Sequence, residues 1–323
     1  MSICYDRRAD DDLIEALAPG GWAHSLVQFG RSGHFALDLQ LRGFATKPKK
    51  TWATLYVGLT KVVDLVHLHG KGFRLDAHPS YRTSAHGWRS SWERWHAVDQ
   101  LHEEWDAVDL YLERVIPTIG KRFLKEGSVQ AAVSGFANEH MIVIDREAAV
   151  TYANQPEKTR VTSRLERPLL DAVKKLGSSV PKHLGGECDA LALGQDGTLL
   201  TIEIKPRSAT STIRWSPLQV RHYANLFSTW FHCAAERDPD PVDVINGMVQ
   251  QRARLGLIRK VTRPIISMPP RVQPMIAIGR GYSDAAIRGL QDVQERLASA
   301  GFNDPPLRVA SATLWGELKD LAI

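Results

Sequence analysis

The sequence has few cysteines and no long apolar run. Its 323 residues include three cysteines, Cys4, Cys188 and Cys233, an odd number spread far apart along the chain. Such a set argues against a disulfide framework or a four-thiolate cluster and is typical of a reducing compartment. No stretch approaches the ~20 apolar residues that a membrane-spanning helix requires. We therefore expect a cytoplasmic protein without a membrane partner.

Acidic residues are missing from one long stretch. None lies between Asp243 and Asp284. The basic residues there are Arg252, Arg254, Arg259, Lys260, Arg263, Arg271 and Arg280. The formal net charge is +5, to which residues 156–323 contribute +6 and residues 1–155 contribute −1. A stretch of one sign suits a polyanion such as nucleic acid, although a solvated basic face gives the same pattern.

Two patterns typical of other functions are also lacking. No Gly-rich phosphate loop precedes a helix, so a phosphotransferase is the least favoured function. Six histidines lie between His67 and His102, but apart from the His67-Leu68-His69 pair their spacing matches no metal-ligand set. We expect no metal site in that region.

Residues 1–155 have the pattern of an α+β domain. Apolar and β-branched residues predict strands at 51–68, 128–137 and 140–153, the last as a hairpin turning near residues 145–147. A stripe at spacings of three and four predicts one long helix, which Pro117 ends. The stripe consists of Trp88, Trp92, Trp95, Val98, Leu101, Trp105, Val108, Leu112 and Val115.

The tryptophans of this stripe could stack on bases or fill a core. A core is favoured, because the opposite side of the helix is acidic and would repel phosphates. We expect this domain to recognise the target, or to bind a partner protein or a second copy of the chain. The polar segment 154–160 predicts a linker, which places the domain boundary between residues 155 and 156.

Residues 156–323 alternate between helices and strands, which is the pattern of an α/β sandwich. The predicted helices lie near 163–176, 216–233, 242–258 and 283–301. The predicted strands lie at 188–194, 198–205, 272–279 and 307–315.

The first two of these strands are joined by Gln195-Asp196-Gly197. A three-residue loop fits, because its third position needs a left-handed backbone, which Gly197 supplies. Asp189 then lies opposite Glu203. The apolar pairs on the other face are Ala190–Ile202 and Ala192–Leu200. A two-residue turn would shift the register by one and direct Asp189 away from Glu203.

Lys205 shares a face with Glu203, because the two are two residues apart on a strand. Facing carboxylates repel unless a cation or a proton lies between them, and carboxylate oxygens suit Mg²⁺ or Mn²⁺. Beside such a metal, Lys205 would orient or deprotonate a water and stabilise charge on a phosphate oxygen. The alternative is a surface salt bridge between Lys205 and Glu203 or Asp189, without chemistry.

The order Asp189, hairpin, Glu203-Ile204-Lys205 resembles the signature of the PD-(D/E)xK nuclease superfamily. The resemblance implies the restriction-endonuclease-like fold, a mixed sheet flanked by helices. Fourteen residues after Lys205, Gln219 begins a Gln-x-x-x-Tyr motif that Tyr223 completes. This motif is similar to that of the RecB nuclease domain and of phage exonucleases. The resemblance covers residues 156–323.

The resemblance implies Mg²⁺-dependent hydrolysis of phosphodiester bonds in DNA. RNA, endo- or exonucleolytic cleavage, and a role in DNA repair or antiviral defence all stay open. Implied metal ligands are Asp189, Glu203 and the carbonyl of Ile204. Lys205 would act on the attacking water, while Gln219 and Tyr223 would position the lysine or the DNA backbone.

Relatives often supply a further acid from the helix before the strand pair. Glu166 is the candidate, although Ser163-x-x-Glu166 also has the pattern of a capping box. Basic residues near the motif and in the acid-free stretch suit phosphates. The expected phosphate contacts are Arg207, Arg214, Arg221, His222, Arg252 and Arg254. The alternative function is a catalytically inactive nuclease-fold module that binds nucleic acid or a protein partner.

Overall fold

The computed structural model describes residues 3–32, 37–44, 49–120, 125–134, 141–177, 179–234, 239–258, 266, 270–313 and 318–321. In chain order, the strands are β1 (Ile3–Cys4), β2 (Leu37–Gly43), β3 (Lys50–Val57), β4 (Thr60–Leu68), β5 (Gly72–Asp76), β6 (Met141–Ala149), β7 (Thr151–Tyr152), β8 (Glu187–Gly194), β9 (Leu199–Lys205), β10 (Val272–Gly279), β11 (Arg308–Ala312) and β12 (Leu318–Asp320). The α-helices are α1 (Asp11–Leu17), α2 (His24–Arg31), α3 (Val98–Glu103), α4 (Trp105–Gly120), α5 (Lys125–Ser134), α6 (Gln155–Val173), α7 (Thr210–Ala234), α8 (Pro241–Arg254) and α9 (Asp284–Ser299). None of these helices combines the length and apolar character needed to span a bilayer.

The chain forms two compact units, each built from separated segments. The first unit comprises Met1–Tyr5, Glu139–Asn246 and Val261–Ile323, and the second comprises Asp6–Asn138 and Gly247–Lys260. This division differs from the boundary predicted after residue 155. The reason is that β6 pairs with β8, which draws residues from 139 onward into the first unit. The predicted linker at 154–160 is the start of α6, which Asn154 caps.

The first unit has a mixed α/β fold around a six-stranded sheet of order β12-β11-β10-β9-β8-β6. Strands β9, β10 and β11 are parallel, and the other neighbours are antiparallel. Residues 145–147 do not turn a hairpin as predicted, because β6 continues through them with an irregularity between Val143 and Asp145. The strands and helices predicted within 156–323 are present, most of them with shifted ends; residues 314 and 315 lie outside the described ranges.

Helix α7 packs on the sheet face that carries Thr201. The Thr201 hydroxyl donates to the Val220 carbonyl at 3.3 Å. An apolar cluster joins α7 and α9 to β10 and β11, and its buried members are Ile213, Val220, Ile276, Ile278, Ala286, Leu290 and Val309. A second cluster includes Leu169 and Val173 of α6 with Leu218 and Leu297. This packing fixes α7 over the strands that carry the candidate site.

The second unit contains a four-stranded antiparallel sheet of order β2-β3-β4-β5. The strands predicted over 51–68 are confirmed. The strand predicted at 128–137 is wrong, because residues up to 134 belong to α5; residues 135–137 lie outside the described ranges.

The long helix predicted over residues 88–115 is also wrong. Ser90–Glu93 form a 3₁₀ turn, and α3 and α4 follow as separate helices. The break coincides with a backbone bridge between His96 and Phe73 of β5, which competes with helix formation. Pro117 lies inside α4 and does not end it. The expected core role is confirmed for Trp88, Trp92, Leu101, Trp105, Val108, Leu112 and Val115, whereas Val98 is 43% exposed.

Helix α7 accommodates a proline in its interior. Pro217 has no N–H, so the carbonyl of Ile213, four residues earlier, loses its usual helical donor. The Ser216 hydroxyl donates to that carbonyl at 2.7 Å. Because Ser216 is fully buried, this hydrogen bond replaces one that water cannot supply.

Ser216→Ala is expected to lower the free energy of unfolding by about 1 to 2 kcal/mol, because it leaves a buried carbonyl unsatisfied. Urea unfolding of the variant measures this. The matched control is Ser299→Ala, which removes a hydroxyl-to-carbonyl bond from the exposed end of α9 and should cost little. In a Pro217→Ala background the backbone N–H at 217 returns, and the cost of Ser216→Ala should shrink. An equal cost in both backgrounds contradicts this account.

Candidate active site

The β8–β9 hairpin has the register predicted from its loop. Ala190 pairs with Ile202 and Ala192 with Leu200, with Leu191–Thr201 and Leu193–Leu199 between and beside them. Gly197 has φ +81°. The Gly194 N–H donates to the Thr198 carbonyl at 2.9 Å, which closes a three-residue loop. Since side chains alternate along a strand, Asp189, Leu191, Thr201 and Glu203 share one face, the one that α7 covers.

Asp189 lies where the two strands part. The β8–β9 pairing ends at Ala190–Ile202, and beyond it the Ile204 N–H donates to Asp189 Oδ2 at 2.6 Å. The carboxylate therefore replaces a backbone acceptor at the open end of the hairpin. This contact orients Asp189 toward β9, next to Glu203.

Glu203 is almost fully buried, with 3% of its surface exposed, and Lys205 Nζ donates to its Oε1. The salt bridge considered from the sequence is thus present, but it is not a surface pair: the Lys205 side chain is only 12% exposed. Burying an ion pair costs desolvation that geometry must offset, so such pairs are weak evidence for a purely stabilising role.

Tyr223 projects from α7 toward the two carboxylates. Burial raises the pKa of its phenol well above the usual value, and the charges of Glu203, Cys188 and Asp189 raise the pKa further. The hydroxyl therefore stays protonated, and it donates to the Leu184 carbonyl at 3.1 Å. Gln219, one turn earlier on α7, is half-buried.

Glu166 holds the segment that leads into β8. Its Oε2 accepts from the Leu184 N–H at 3.3 Å, and its Oε1 lies 3.2 Å from His183 Nδ1. The capping-box interpretation is wrong, because Glu166 lies in the middle of α6, whose cap is Asn154. Glu166 and Tyr223 thus bind the two backbone groups of Leu184, one from α6 and one from α7.

The sequence analysis missed this segment before β8. Gly185 has φ +80°, and a Cβ atom there would lie 3.3 Å from the Tyr223 hydroxyl oxygen. The signal in the sequence was the Gly185-Gly186 pair, since glycine is favoured where the backbone is left-handed and closely approached.

Three of the six residues expected to contact phosphates have buried side chains. Arg221 is 2% exposed and donates from Nη1 to the Pro305 carbonyl at 3.0 Å, and burial lowers the pKa of its guanidinium to about 10. His222 is fully buried. Arg252 is buried in the second unit, where its Nη1 donates to Gln40 Oε1 at 3.3 Å. The expectation that these three residues contact phosphates is therefore wrong. A sequence shows which residues are charged, but not how deeply their side chains are buried.

The other three expected contacts are more accessible. Arg207 is exposed at the end of β9 and lies next to Gly281. Arg214 is half-buried, with its guanidinium 4.9 Å from the centre of the Trp215 ring. Arg254 belongs to the second unit and forms an ion pair with Glu15. Of the acid-free stretch, Arg259, Lys260 and Arg263 lie outside the described residues.

Asp189 and Glu203 are the two carboxylates of this site that could contribute oxygen ligands to a divalent ion. Within the described ranges, no group of three or more His, Cys, Asp or Glu side chains could hold a metal ion. Mg²⁺ is commonly bound by one or two carboxylates, with water and substrate phosphate completing its shell. Asp189 and Glu203, on one face at the open end of the hairpin, provide such a pair.

His222 predicts how stability depends on pH. Burial lowers the pKa of its imidazole to about 4 from the usual 6.5, despite the opposing effects of the Glu166 charge and the Gly185 backbone. Between these values the unfolded chain binds a proton that the folded chain does not, so stability falls as pH is lowered from 6.5 toward 4. This group alone should remove up to about 3 kcal/mol by pH 4.

Urea unfolding between pH 7 and pH 4.5 tests this expectation. His222→Gln should flatten the stability profile relative to the unsubstituted protein, and His232→Gln, which alters an exposed histidine on the same helix, should not. A profile that His222→Gln leaves equally steep would contradict a neutral buried imidazole.

Comparisons with known proteins add no family to this geometry. The chain matches no protein-family model, and no curated protein or solved structure is significantly similar to it. The chemistry inferred for the site therefore depends on the side chains described above.

Proposed function

We propose that the protein is a metal-dependent deoxyribonuclease of the PD-(D/E)xK type. The observation that carries the proposal is the hairpin register, which places Asp189 and Glu203 on one face and Lys205 against Glu203. The same face is covered by α7, which contributes Tyr223. This set of residue types matches what hydrolysis of a phosphodiester requires: oxygen ligands for a divalent ion, and a cation beside them.

Asp189 and Glu203 would hold Mg²⁺ or Mn²⁺, with the Ile204 carbonyl as a third ligand. When bound, the ion supplies Lewis acidity to a phosphodiester oxygen. Bringing two carboxylates together in a partly desolvated site raises their energy unless a cation is present. Metal binding would therefore add positive charge to a pair of acids of which Lys205 neutralises only one, Glu203.

Lys205 would act at the attacking water. Its ammonium now neutralises Glu203, and a divalent ion at the two carboxylates would compete for that charge. Released from Glu203, Lys205 Nζ can orient the water or stabilise the charge that develops on a phosphate oxygen. The water oxygen would bond to phosphorus and release a proton to solvent, while the bond from phosphorus to the leaving oxygen breaks and that oxygen takes a proton from solvent.

Tyr223, Gln219 and Glu166 would act as positioning residues. Tyr223 and Glu166 fix Leu184, five residues before Asp189, and thereby the path by which the chain enters β8. Gln219 lies one turn from Tyr223 and is accessible enough to contact a DNA backbone. Arg207 and Arg214 belong to the same unit and can contact phosphates further along.

One observation favours the alternative, an inactive nuclease-fold module that binds nucleic acid or a protein. Glu203 is already neutralised by Lys205, and Asp189 already accepts the Ile204 N–H. A site whose charges are satisfied internally can be stable without a metal. Cleavage assays distinguish the two functions.

Linear, nicked, circular and single-stranded DNA, incubated with Mg²⁺ or Mn²⁺, should be cleaved by the protein. Glu203→Gln and Lys205→Ala should each lower the rate by at least about 100-fold, because each removes a charge that acts on the transition state. Chelation of the metal should abolish cleavage. Product lengths on the linear and circular substrates reveal whether cleavage starts at an end.

Glu295→Gln and Lys319→Ala serve as matched controls, since they make the same changes on α9 and β12, away from the site. Both should cleave at the unsubstituted rate. Cleavage that persists in Glu203→Gln would exclude this site, and binding of DNA without cleavage of any substrate would favour the inactive module.

A further inference from the structure

Helix α6 and the turn that continues it carry a row of basic side chains on the side turned to solvent. We call this row the basic stripe; its residues are Arg164, Arg167, Lys174 and Lys175, and all four are exposed. Lys174 and Lys175 lie in a 3₁₀ turn that directly follows α6. Spacings of three and seven residues place Arg164, Arg167 and Lys174 on one side of the helix.

The opposite side of α6 belongs to the core of the first unit. Val161, Leu169 and Val173 are buried. Leu169 and Val173 belong to the apolar cluster that also contains Leu218 of α7 and Leu297 of α9. Because this packing fixes the rotation of α6 about its axis, the basic stripe is held toward solvent before any ligand binds.

The positive charge of the basic stripe is not balanced within the protein. In the part of the chain that the structure describes, none of its four residues forms an ion pair. Of the three acids of α6, Glu157 forms an ion pair with Arg160 at 3.4 Å, and Glu166 binds the segment before β8. Asp171 is exposed on the same side as the stripe. Four cations and this one acid leave a formal charge of +3 on that side.

Helix α9 of the same unit shows the contrast. Its exposed charged side chains are Asp284, Arg288, Asp292, Glu295 and Arg296. Acids outnumber bases there, and Asp292 lies four residues from each arginine, which is the spacing of favourable pairs on a helix. Charges of mixed sign are sufficient for solubility. The uncompensated charge on α6 therefore indicates an anionic ligand.

The basic stripe lies on the helix that supports the candidate active site. Glu166 of α6 accepts from the Leu184 N–H at 3.3 Å, and Tyr223 donates to the Leu184 carbonyl at 3.1 Å. Tyr223 in turn lies near the two carboxylates. Lys182, in the same segment as Leu184, is exposed and adds a further cation. A polyanion bound along α6 would therefore lie beside the site.

We infer that the basic stripe of α6 binds the phosphate backbone of double-stranded DNA. Arg164 and Lys175 are about 16 Å apart along the helix axis, which corresponds to about five nucleotides of one strand of a duplex. Residues 155–183 contain no Phe, Tyr or Trp. Bases of a single strand would find no aromatic ring there to stack on, and such stacking is typical of single-strand sites. A duplex offers two rows of phosphates and keeps its bases paired.

This inference extends the proposed function, because it names duplex DNA as the substrate and α6 as the helix along which it lies. It rests on the proposed function only for the cleavage that would follow. The binding itself requires no metal. Measuring it in the presence of a chelator therefore distinguishes its failure from a failure of the nuclease proposal.

The test is fluorescence anisotropy of a labelled duplex of about 20 base pairs with the full chain, in chelator, between about 50 and 200 mM salt. We expect binding that weakens with salt and exceeds binding to oligo-dT of the same length. Arg164→Gln combined with Arg167→Gln should weaken duplex binding at least about 10-fold. It should also reduce the slope of log K against log salt by about two, because each neutralised phosphate contributes about 0.9. Lys174→Gln combined with Lys175→Gln should act in the same direction.

Arg288→Gln combined with Arg296→Gln is the matched control, since it removes two exposed arginines from α9 and changes the net charge equally. This double variant should bind like the unsubstituted chain. Asp171→Asn should tighten duplex binding, because it removes the acid on the side of the stripe. Asp292→Asn, the same change on α9, should not.

Four results would overturn the inference. They are no duplex binding at about 50 mM salt, oligo-dT binding as tight as duplex binding, equal weakening by the double arginine variants of α6 and α9, and equal effects of Asp171→Asn and Asp292→Asn. All of these substitutions change exposed side chains, and circular dichroism confirms that each variant is folded.

Discussion

The candidate site depends on the register of one hairpin, which directs two acidic side chains to the same face of the sheet at the open end of that hairpin. Gly197 closes a three-residue loop, the loop fixes the register, and the register places Asp189 and Glu203 on the same face. Shifting the register by one residue would send every apolar side chain of the pair to the other face. The shared face of the two acids is therefore maintained by the burial of residues such as Ala190 and Ile202, so the core packing determines the geometry of the site.

Helices α6 and α7 of the first unit stabilise the arrangement of the candidate site. Helix α7 remains continuous across Pro217 because Ser216 satisfies the carbonyl that the proline leaves without a donor. Because the helix is continuous, Tyr223 projects toward the carboxylates. Tyr223 and Glu166 both form hydrogen bonds with the backbone of Leu184, which precedes β8. Lys205 neutralises Glu203 within the same strand. The same contacts thus stabilise the fold and hold the groups that the proposed hydrolysis would use.

Local signals in the sequence predicted the hairpin of the candidate site, although they mistook helix α5 for a strand and placed a turn inside β6. The loop glycine and the alternation of apolar residues were enough for the β8–β9 register, and the strand at 272–279 matches β10. Non-local pairing was not predictable: the β6–β8 contacts move residues from 139 onward into the first unit, and the bridge between Phe73 and His96 interrupts the long helix. The burial of charged side chains was not predictable either. Arg221 is buried, and its hydrogen-bond acceptor, the Pro305 carbonyl, lies 84 residues away along the chain. The structure thus retains the acid pair and lysine of the predicted site but revises its basic surroundings.

The most direct test of the central claim is a calorimetric titration of the protein with Mn²⁺ in the absence of DNA. If the facing carboxylates form a cation site, the unsubstituted chain binds the metal, Asp189→Asn and Glu203→Gln each weaken binding by at least about 10-fold, and Glu295→Gln does not. Equal Mn²⁺ binding by all four proteins would show that the charges meet without forming a metal site and would contradict the account.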